Sequence, residues 1–197
     1  MLQANTREST VENLPLLCGD DSILLIVDMQ AGLAKAMPAG DWTRARDATI
    51  VMVRAAAELD IPIATARQYP KGLGSTAAEI EAVLPPRTEQ FDKTCFSACG
   101  AEGLFDLLKL TERSQIVVCG MEAHVCVLQT AADLVRRGYR PFVVGDATSS
   151  RNPAHGHNAL ERMRAHGIAV INHESAVFEW LRDARHEHFK TLLELLR

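Results

Sequence analysis

The 197-residue sequence is poor in aromatic residues and lacks a CxxC pair, an excess of basic charge and any long apolar run. Each absence narrows what the chain can be. With Phe, Trp and Tyr at only 5% of residues, the core has to be built from Ala, Leu and Val. Five cysteines, at positions 18, 95, 99, 119 and 126, are an odd number, which argues against a disulfide framework and for a reducing compartment. No stretch approaches the roughly 20 apolar residues that a membrane-spanning helix needs. A net charge of -4 without a basic run leaves no electrostatic footprint for nucleic acid. The opening MLQANTRESTVENL has neither a basic start nor a sustained apolar run, so a signal peptide is not expected. The expectation is a cytoplasmic protein that binds neither membrane nor nucleic acid.

What is present is an alternation of strand-like and helix-like segments. A chain of this length fits one domain, expected over residues 14–197 behind a polar tail at residues 1–13. Continuous apolar runs predict strands at Ile23–Val27, Ile61–Ala66, around Glu89–Phe91, Gln115–Cys119, Pro141–Val144 and Ile168–Ile171. Helical patterns predict helices at Trp42–Leu59, Ala77–Val83, Ala101–Leu110, Ala123–Arg137 and Pro153–His166. This cadence defines an α/β fold, a mostly parallel sheet with helices on both faces. Strands that are apolar throughout, rather than alternating, belong to a sheet covered on both sides. Gly138 and Gly167 follow basic last turns, as left-handed helix caps do, and Asn152-Pro153 reads as a helix start. The final segment HEHFKTLLELLR places Phe189, Leu192, Leu193 and Leu196 on one helical face. That face either docks on its own domain or makes a contact between subunits.

Three apolar runs end on reactive residues: Asp28 in ILLIVDMQ, Lys93 in TEQFDKTCFSA and Cys126 in IVVCGMEAHVCVLQTA. Carboxyl ends of parallel strands share one sheet edge, so these residues can meet in one crevice. Each also has a plain reading: Asp28 as a cap, Lys93 as a solvated charge, Cys126 as a small core residue. Together, an acid, an ammonium and a thiol can form an activated nucleophile. A thiol near a helix start is expected to have a lowered pKa, and the same N–H groups can stabilise an oxyanion. His124 lies two positions from the thiol, about 200° around a helix, and is expected at the pocket rim rather than as the base. His155 and His157 lack a nearby carboxylate or thiol partner in sequence, and KGLGST lacks the ending of a phosphate loop. Cys95 and Cys99, close to Lys93, are either oxidation-sensitive or packed in a loop.

ATARQYPKGLG, DKTCFSA, GMEAHVCVLQTA and GDATSSR, in this order and spacing, resemble the isochorismatase-like cysteine hydrolases from about Ser22 onward. The similarity is strongest to the isochorismatase domain-containing proteins. The resemblance implies a three-layer α/β/α Rossmann-like fold with a six-stranded parallel sheet. It implies Asp28 as general base, Lys93 as cation and Cys126 as nucleophile. It further implies a cis peptide at Met121–Glu122, which aims the N–H of Glu122, with that of Cys126, at the substrate oxygen. Nicotinamidases of this superfamily bind a divalent metal through an Asp and histidines after the second strand. Here TARQYPKGLGST offers Gln68, Tyr69 and Pro70 and no histidine, so no metal and no other cofactor is expected. Gln68, Tyr69 and Phe96 are the expected substrate-binding residues.

The function so implied is hydrolysis of a small amide or carbamoyl C–N bond through a thioester, in a homo-oligomer whose partner is a small-molecule substrate. Hydrolysis of an isochorismate-type vinyl ether is an alternative. A catalytically silent binding or scaffold protein of the same fold is another.

Overall fold

The computed structural model describes residues 14–197, so the polar segment 1–13 lies outside the described residues. Strands β1 (Ser22–Val27), β2 (Ile63–Gln68), β3 (Glu89–Lys93), β4 (Gln115–Met121), β5 (Arg140–Ser149) and β6 (Ala169–Ile171) form one sheet, and every pairing is parallel. Its order is β3-β2-β1-β4-β5-β6. The chain winds outward from β1 to β3, then returns to β1's other side as β4. That makes the gap between the ends of β1 and β4 the topological switch point, where ligands of open α/β sheets bind.

Helices cover both faces. They are α1 (Ala31–Ala34), α2 (Ala39–Glu58), α3 (Pro70–Leu73), α4 (Ala78–Glu81), α5 (Leu104–Leu110), α6 (Leu128–Arg136), α7 (Pro153–Ala165), α8 (His173–Leu181) and α9 (Phe189–Leu195). Leu24, Ile26, Val117 and Cys119 face α2, α8 and α9, whereas Ile23, Leu25, Ile116 and Val118 face α5, α6 and α7. This strict alternation along apolar strands is the period-2 rule applied to a sheet with two dry faces. The fold is therefore the expected three-layer α/β/α architecture.

Several boundaries move, each for a physical reason. β2 begins at Ile63 rather than Ile61, because Asp60 takes a left-handed turn (φ 53°), and it continues to Gln68. β3 runs on to Lys93. β5 extends to Ser149, past a register shift in its pairing with β4 between Val118 and Gly120. α8 was not anticipated, although Asn172 caps it by accepting a hydrogen bond from Ser175 N at 2.8 Å. Gly138 (φ 85°) and Gly167 (φ 77°) close α6 and α7 in the left-handed conformation that favours glycine. The last helix docks on its own domain. Leu192 is fully buried there and Phe189, Leu195 and Leu196 pack beside it, with Leu195 where Leu193 was expected. The apolar face of α9 is thus consumed within the chain.

Candidate active site

At the switch point β1 and β4 approach closely. Gly120 (φ 138°) makes this possible, because a Cβ there would lie 2.0 Å from Val27 O. Asp28 follows β1 directly in a left-handed conformation (φ 53°), with its N–H donating to Ala66 O at 2.8 Å. Aspartate tolerates that region better than most side chains. Lys93, at the end of β3, reaches across β2 and donates from Nζ to Asp28 Oδ2 at 2.7 Å. Both side chains are fully buried. Lys93 Nζ also donates to Gln68 Oε1 at 2.7 Å and to the Phe96 carbonyl at 3.0 Å. The Cys95 carbonyl lies at 3.3 Å as a fourth, longer acceptor, so the three N–H groups of the ammonium are fully occupied.

Gln68 is itself held from two directions. Its Nε2 donates to Thr94 O at 2.7 Å. Its backbone is clamped by Gln30, whose Oε1 accepts from Gln68 N at 2.7 Å and whose Nε2 donates to Gln68 O at 3.0 Å. Gln30 Nε2 also donates to Gly74 O at 2.7 Å, tying down the loop that carries Tyr69.

Cys126 arrives from the other side. The Met121–Glu122 peptide bond is cis, and Ala123–Val127 form a π-helical turn ahead of α6. The Glu122 carbonyl accepts from Val125 N at 3.0 Å and from Val127 N at 3.2 Å, so Glu122 anchors the turn that presents Cys126. Its buried side chain is gripped by Arg151 from the β5–α7 loop. Arg151 Nη2 donates to Oε1 at 2.6 Å, Nε donates at 3.0 Å, and the Arg151 backbone N–H donates to Oε2 at 2.8 Å. Burial works against ionisation of Glu122, but the hydrogen bonds and charge of Arg151 outweigh it and hold the carboxyl below its usual range.

Asp28 Oδ1 is buried and has no hydrogen-bond partner within standard geometry. The thiol of Cys126 lies close enough that each group shifts the other's titration. Burial raises the Asp28 pKa, against the opposing pull of Lys93 and of Cys126. Burial and then the Asp28 charge push the Cys126 thiol up to about 12, with Lys93 pulling it back. The lowered thiol pKa expected from a helix start is therefore not found. Cys126 sits in a buried π turn beside a carboxylate, and desolvation with like charge dominates.

Above the thiol opens a cavity of about 700 Å³, lined by Gln68, Tyr69, Thr94, Phe96, Glu122 and Cys126, with Leu33, Leu73, Val125 and Arg151 completing its wall. All three expected substrate-binding residues border it. His124, expected at its rim, faces elsewhere: its Nδ1 lies 3.0 Å from Ser150 Oγ and its ring lines a separate cavity between α6 and α7. Cys99 is buried and Cys95 exposed, and all five cysteines are free. Sequence reasoning passed over Gln30 and Arg151. Gln30 stands two residues after Asp28, and Arg151 closes GDATSSR, but their roles depend on contacts across 38 and 29 residues.

A doubly wound α/β/α sheet with its polar cluster at the switch point is the architecture of the isochorismatase-like hydrolases. The isochorismatase domain model matches residues 22–175, and the chain belongs to the isochorismatase family. It is 36% identical over 195 residues to the secreted isochorismatase effector Isc1 of Phytophthora sojae, covering 96% of this chain and 90% of that protein. Isochorismatase domain-containing protein 2 of Xenopus laevis is 33% identical over 191 residues, covering 95% and 89%. Among solved structures, the MAR1 ribonuclease from Caenorhabditis elegans aligns with a TM-score of 0.87 at 33% identity, covering 92% of each chain. Among the described residues no group of three or more His, Cys, Asp or Glu side chains is placed to hold a metal ion. Gln68 uses both ends of its amide on Lys93 and Thr94, and Tyr69 and Pro70 bring no ligand nitrogen. Among the described residues no helix is long and apolar enough to cross a membrane.

Proposed function

We propose that this protein is a cysteine-dependent hydrolase of small amide or carbamoyl compounds, acting through a thioester at Cys126. The observation that supports this above all is the buried Lys93–Asp28 pair, whose carboxylate keeps one oxygen without a hydrogen-bond partner and lies close enough to the Cys126 thiol to shift its titration. A carboxylate so placed can accept a proton, and Lys93 opposes the burial that raises its pKa.

In this mechanism Asp28 Oδ1 removes the proton from Cys126 Sγ as sulfur attacks the substrate carbonyl. Free thiolate is scarce for a thiol pushed up to about 12, so proton transfer and attack are coupled. The backbone N–H groups of Glu122 and Cys126 hold the developing oxyanion. Collapse of the tetrahedral species breaks the C–N bond, and Asp28 returns its proton to the departing amine. Water then attacks the thioester, again giving a proton to Asp28. The acid leaves, and Cys126 regains its proton from Asp28.

A panel of small primary amides and carbamoyl compounds tests this, with wild type and Cys126→Ala assayed side by side and Cys126 inspected for an acyl adduct by mass spectrometry. An adduct at Cys126 and loss of turnover on Cys126→Ala are expected. Turnover, including turnover of isochorismate, that survives Cys126→Ala would sink the thioester mechanism.

The ribonuclease name of the C. elegans neighbour is not carried over, because this chain has a net charge of -4 and no basic run. Five free cysteines support a reducing, cytoplasmic setting, even though the P. sojae relative is by name secreted. Self-association belongs to the same proposal and rests on family resemblance. Sedimentation as a monomer at micromolar concentration would remove it.

A further inference from the structure

The charged groups around the thiol are already matched. Lys93 directs its N–H groups at Asp28 Oδ2, Gln68 Oε1 and the Phe96 carbonyl. On the cavity wall Arg151 and Glu122 form a neutral pair, with Nε and Nη2 of the guanidinium both on the carboxylate. What remains of Arg151 is Nη1, which has no partner among the described residues, a donor on a pair without net charge. Gln68, whose amide is spent on Lys93 and Thr94, and Thr94 are the other polar side chains of the wall. The rest is mostly apolar, and two aromatic side chains stand exposed on it, Tyr69 at 53% and Phe96 at 54%. Apolar groups exposed side by side on one cavity wall, unlike scattered ones, mark a binding surface. Tyr69 is also fixed in place. Its backbone is left-handed (φ 37°), its N–H donates to Lys93 O at 2.8 Å, and its ring lies over Gly72, where a Cβ would come within 2.6 Å of it.

A ligand carboxylate entering this cavity would lose water and find no cation lacking a counter-charge. A neutral, flat group would lose little and gain contact with the two rings. We infer, resting on the hydrolase reading above, that the substrate is an uncharged amide with an apolar, preferably aromatic, substituent packed on Tyr69 and Phe96, and that carboxylate-bearing analogues are excluded. This separates the chain from a vinyl-ether hydrolase acting on isochorismate, which is a dicarboxylate.

The test needs no prior substrate. Cys126 is labelled with iodoacetamide, iodoacetate and N-phenyl iodoacetamide, and each rate is divided by that of the same reagent with free glutathione. Normalised in this way, the neutral amide should exceed the acid by at least about tenfold. The anilide should exceed iodoacetamide, and Tyr69→Ala and Phe96→Ala should each erase the anilide's advantage. Normalised labelling by iodoacetate equal to or faster than by iodoacetamide overturns the inference and leaves the nucleophile intact. Cys126 that resists all three reagents up to about pH 10, while exposed Cys18 reacts, and that forms no acyl adduct with any amide of the panel overturns the hydrolase reading itself, and this inference falls with it.

Discussion

Lys93 and Asp28 form an ion pair of 2.7 Å in which both side chains are wholly withdrawn from water. Pairs of this kind are weak evidence for stability, because desolvation offsets their attraction. Breaking one is another matter, since it strands a buried charge. Lys93→Met is expected to destabilise the fold by about 3–5 kcal/mol. The double variant Asp28→Asn/Lys93→Met is expected to recover much of that loss while remaining inactive. Urea denaturation of the three proteins measures it. A double variant no more stable than Lys93→Met would mean that the pair stabilises the fold outright.

The pH dependence of Cys126 separates the charge of Asp28 from its role as base. After burial, the Asp28 charge is the largest factor raising the thiol. Asp28→Asn removes that charge, so the thiolate forms at lower pH and the alkylation profile of Cys126 shifts toward acid. Hydrolysis should move the other way, falling by about 10²–10⁴ with the loss of a general base. Rates of alkylation and turnover from pH 6 to 10 report both. Parallel changes in the two would show that Asp28 acts only through its field.

The fold was legible because the central strands β1 and β4 are apolar and buried throughout and the helix ends are marked, whereas the edge strand β3, EQFDK, is mostly exposed and carries a weaker signal. Val27, Lys93 and Met121 each end a strand, so the residues at or just beyond those ends converge by topology alone. Other features follow from contacts that no local pattern encodes. The π turn at Ala123–Val127 depends on how Glu122 O is shared between Val125 and Val127. Gln30 reads as an ordinary polar residue after a strand until β2 supplies the backbone that it clamps. α8 is the exception: Asn172 with Ala176, Val177, Trp180 and Leu181 gives a cap and an apolar stripe that local reading could have recognised.

A second titrating pair ties α8 to the sheet. His173 Nδ1 and the His173 backbone N–H meet Asp146 at 2.7 and 2.9 Å. The hydrogen bond to Asp146 raises the His173 pKa, against a smaller effect of burial. For Asp146, burial is outweighed by the bonds and charge of His173, and its pKa falls. A raised histidine stabilises the fold below its unfolded pKa of about 6.5, and that contribution fades as pH rises through the folded value. A lowered aspartate contributes above about 3.9, and that contribution fades as pH falls through the folded value. The stability gap between wild type and His173→Gln should therefore be widest between those limits and narrow above neutral pH. Melting temperatures of both proteins across pH 4–9 test this. A constant gap would show that packing, not charge, accounts for His173.

Arg151 offers the sharpest test of how the oxyanion site is held. Its guanidinium is largely exposed, with 60% of the side chain accessible, yet it grips a Glu122 carboxylate that is only 4% exposed. In the proposed mechanism Glu122 carries an oxyanion amide, and its carbonyl anchors the Cys126 turn, so Arg151 would act as a positioning residue through Glu122. Removing the side chain leaves a buried carboxylate short of donors, at a cost of about 1–3 kcal/mol. Arg151→Ala should accordingly lower kcat more than it raises KM. Because the pocket left behind opens to solvent, guanidinium at low millimolar concentration should bind Glu122 and restore part of kcat. Urea at the same concentration, similar in shape but uncharged, should not. Arg151→Lys should recover little, since an ammonium cannot make the parallel Nε and Nη2 contacts. Full activity in Arg151→Ala, or loss that guanidinium and urea restore equally, would show that Glu122 keeps its place without this cation.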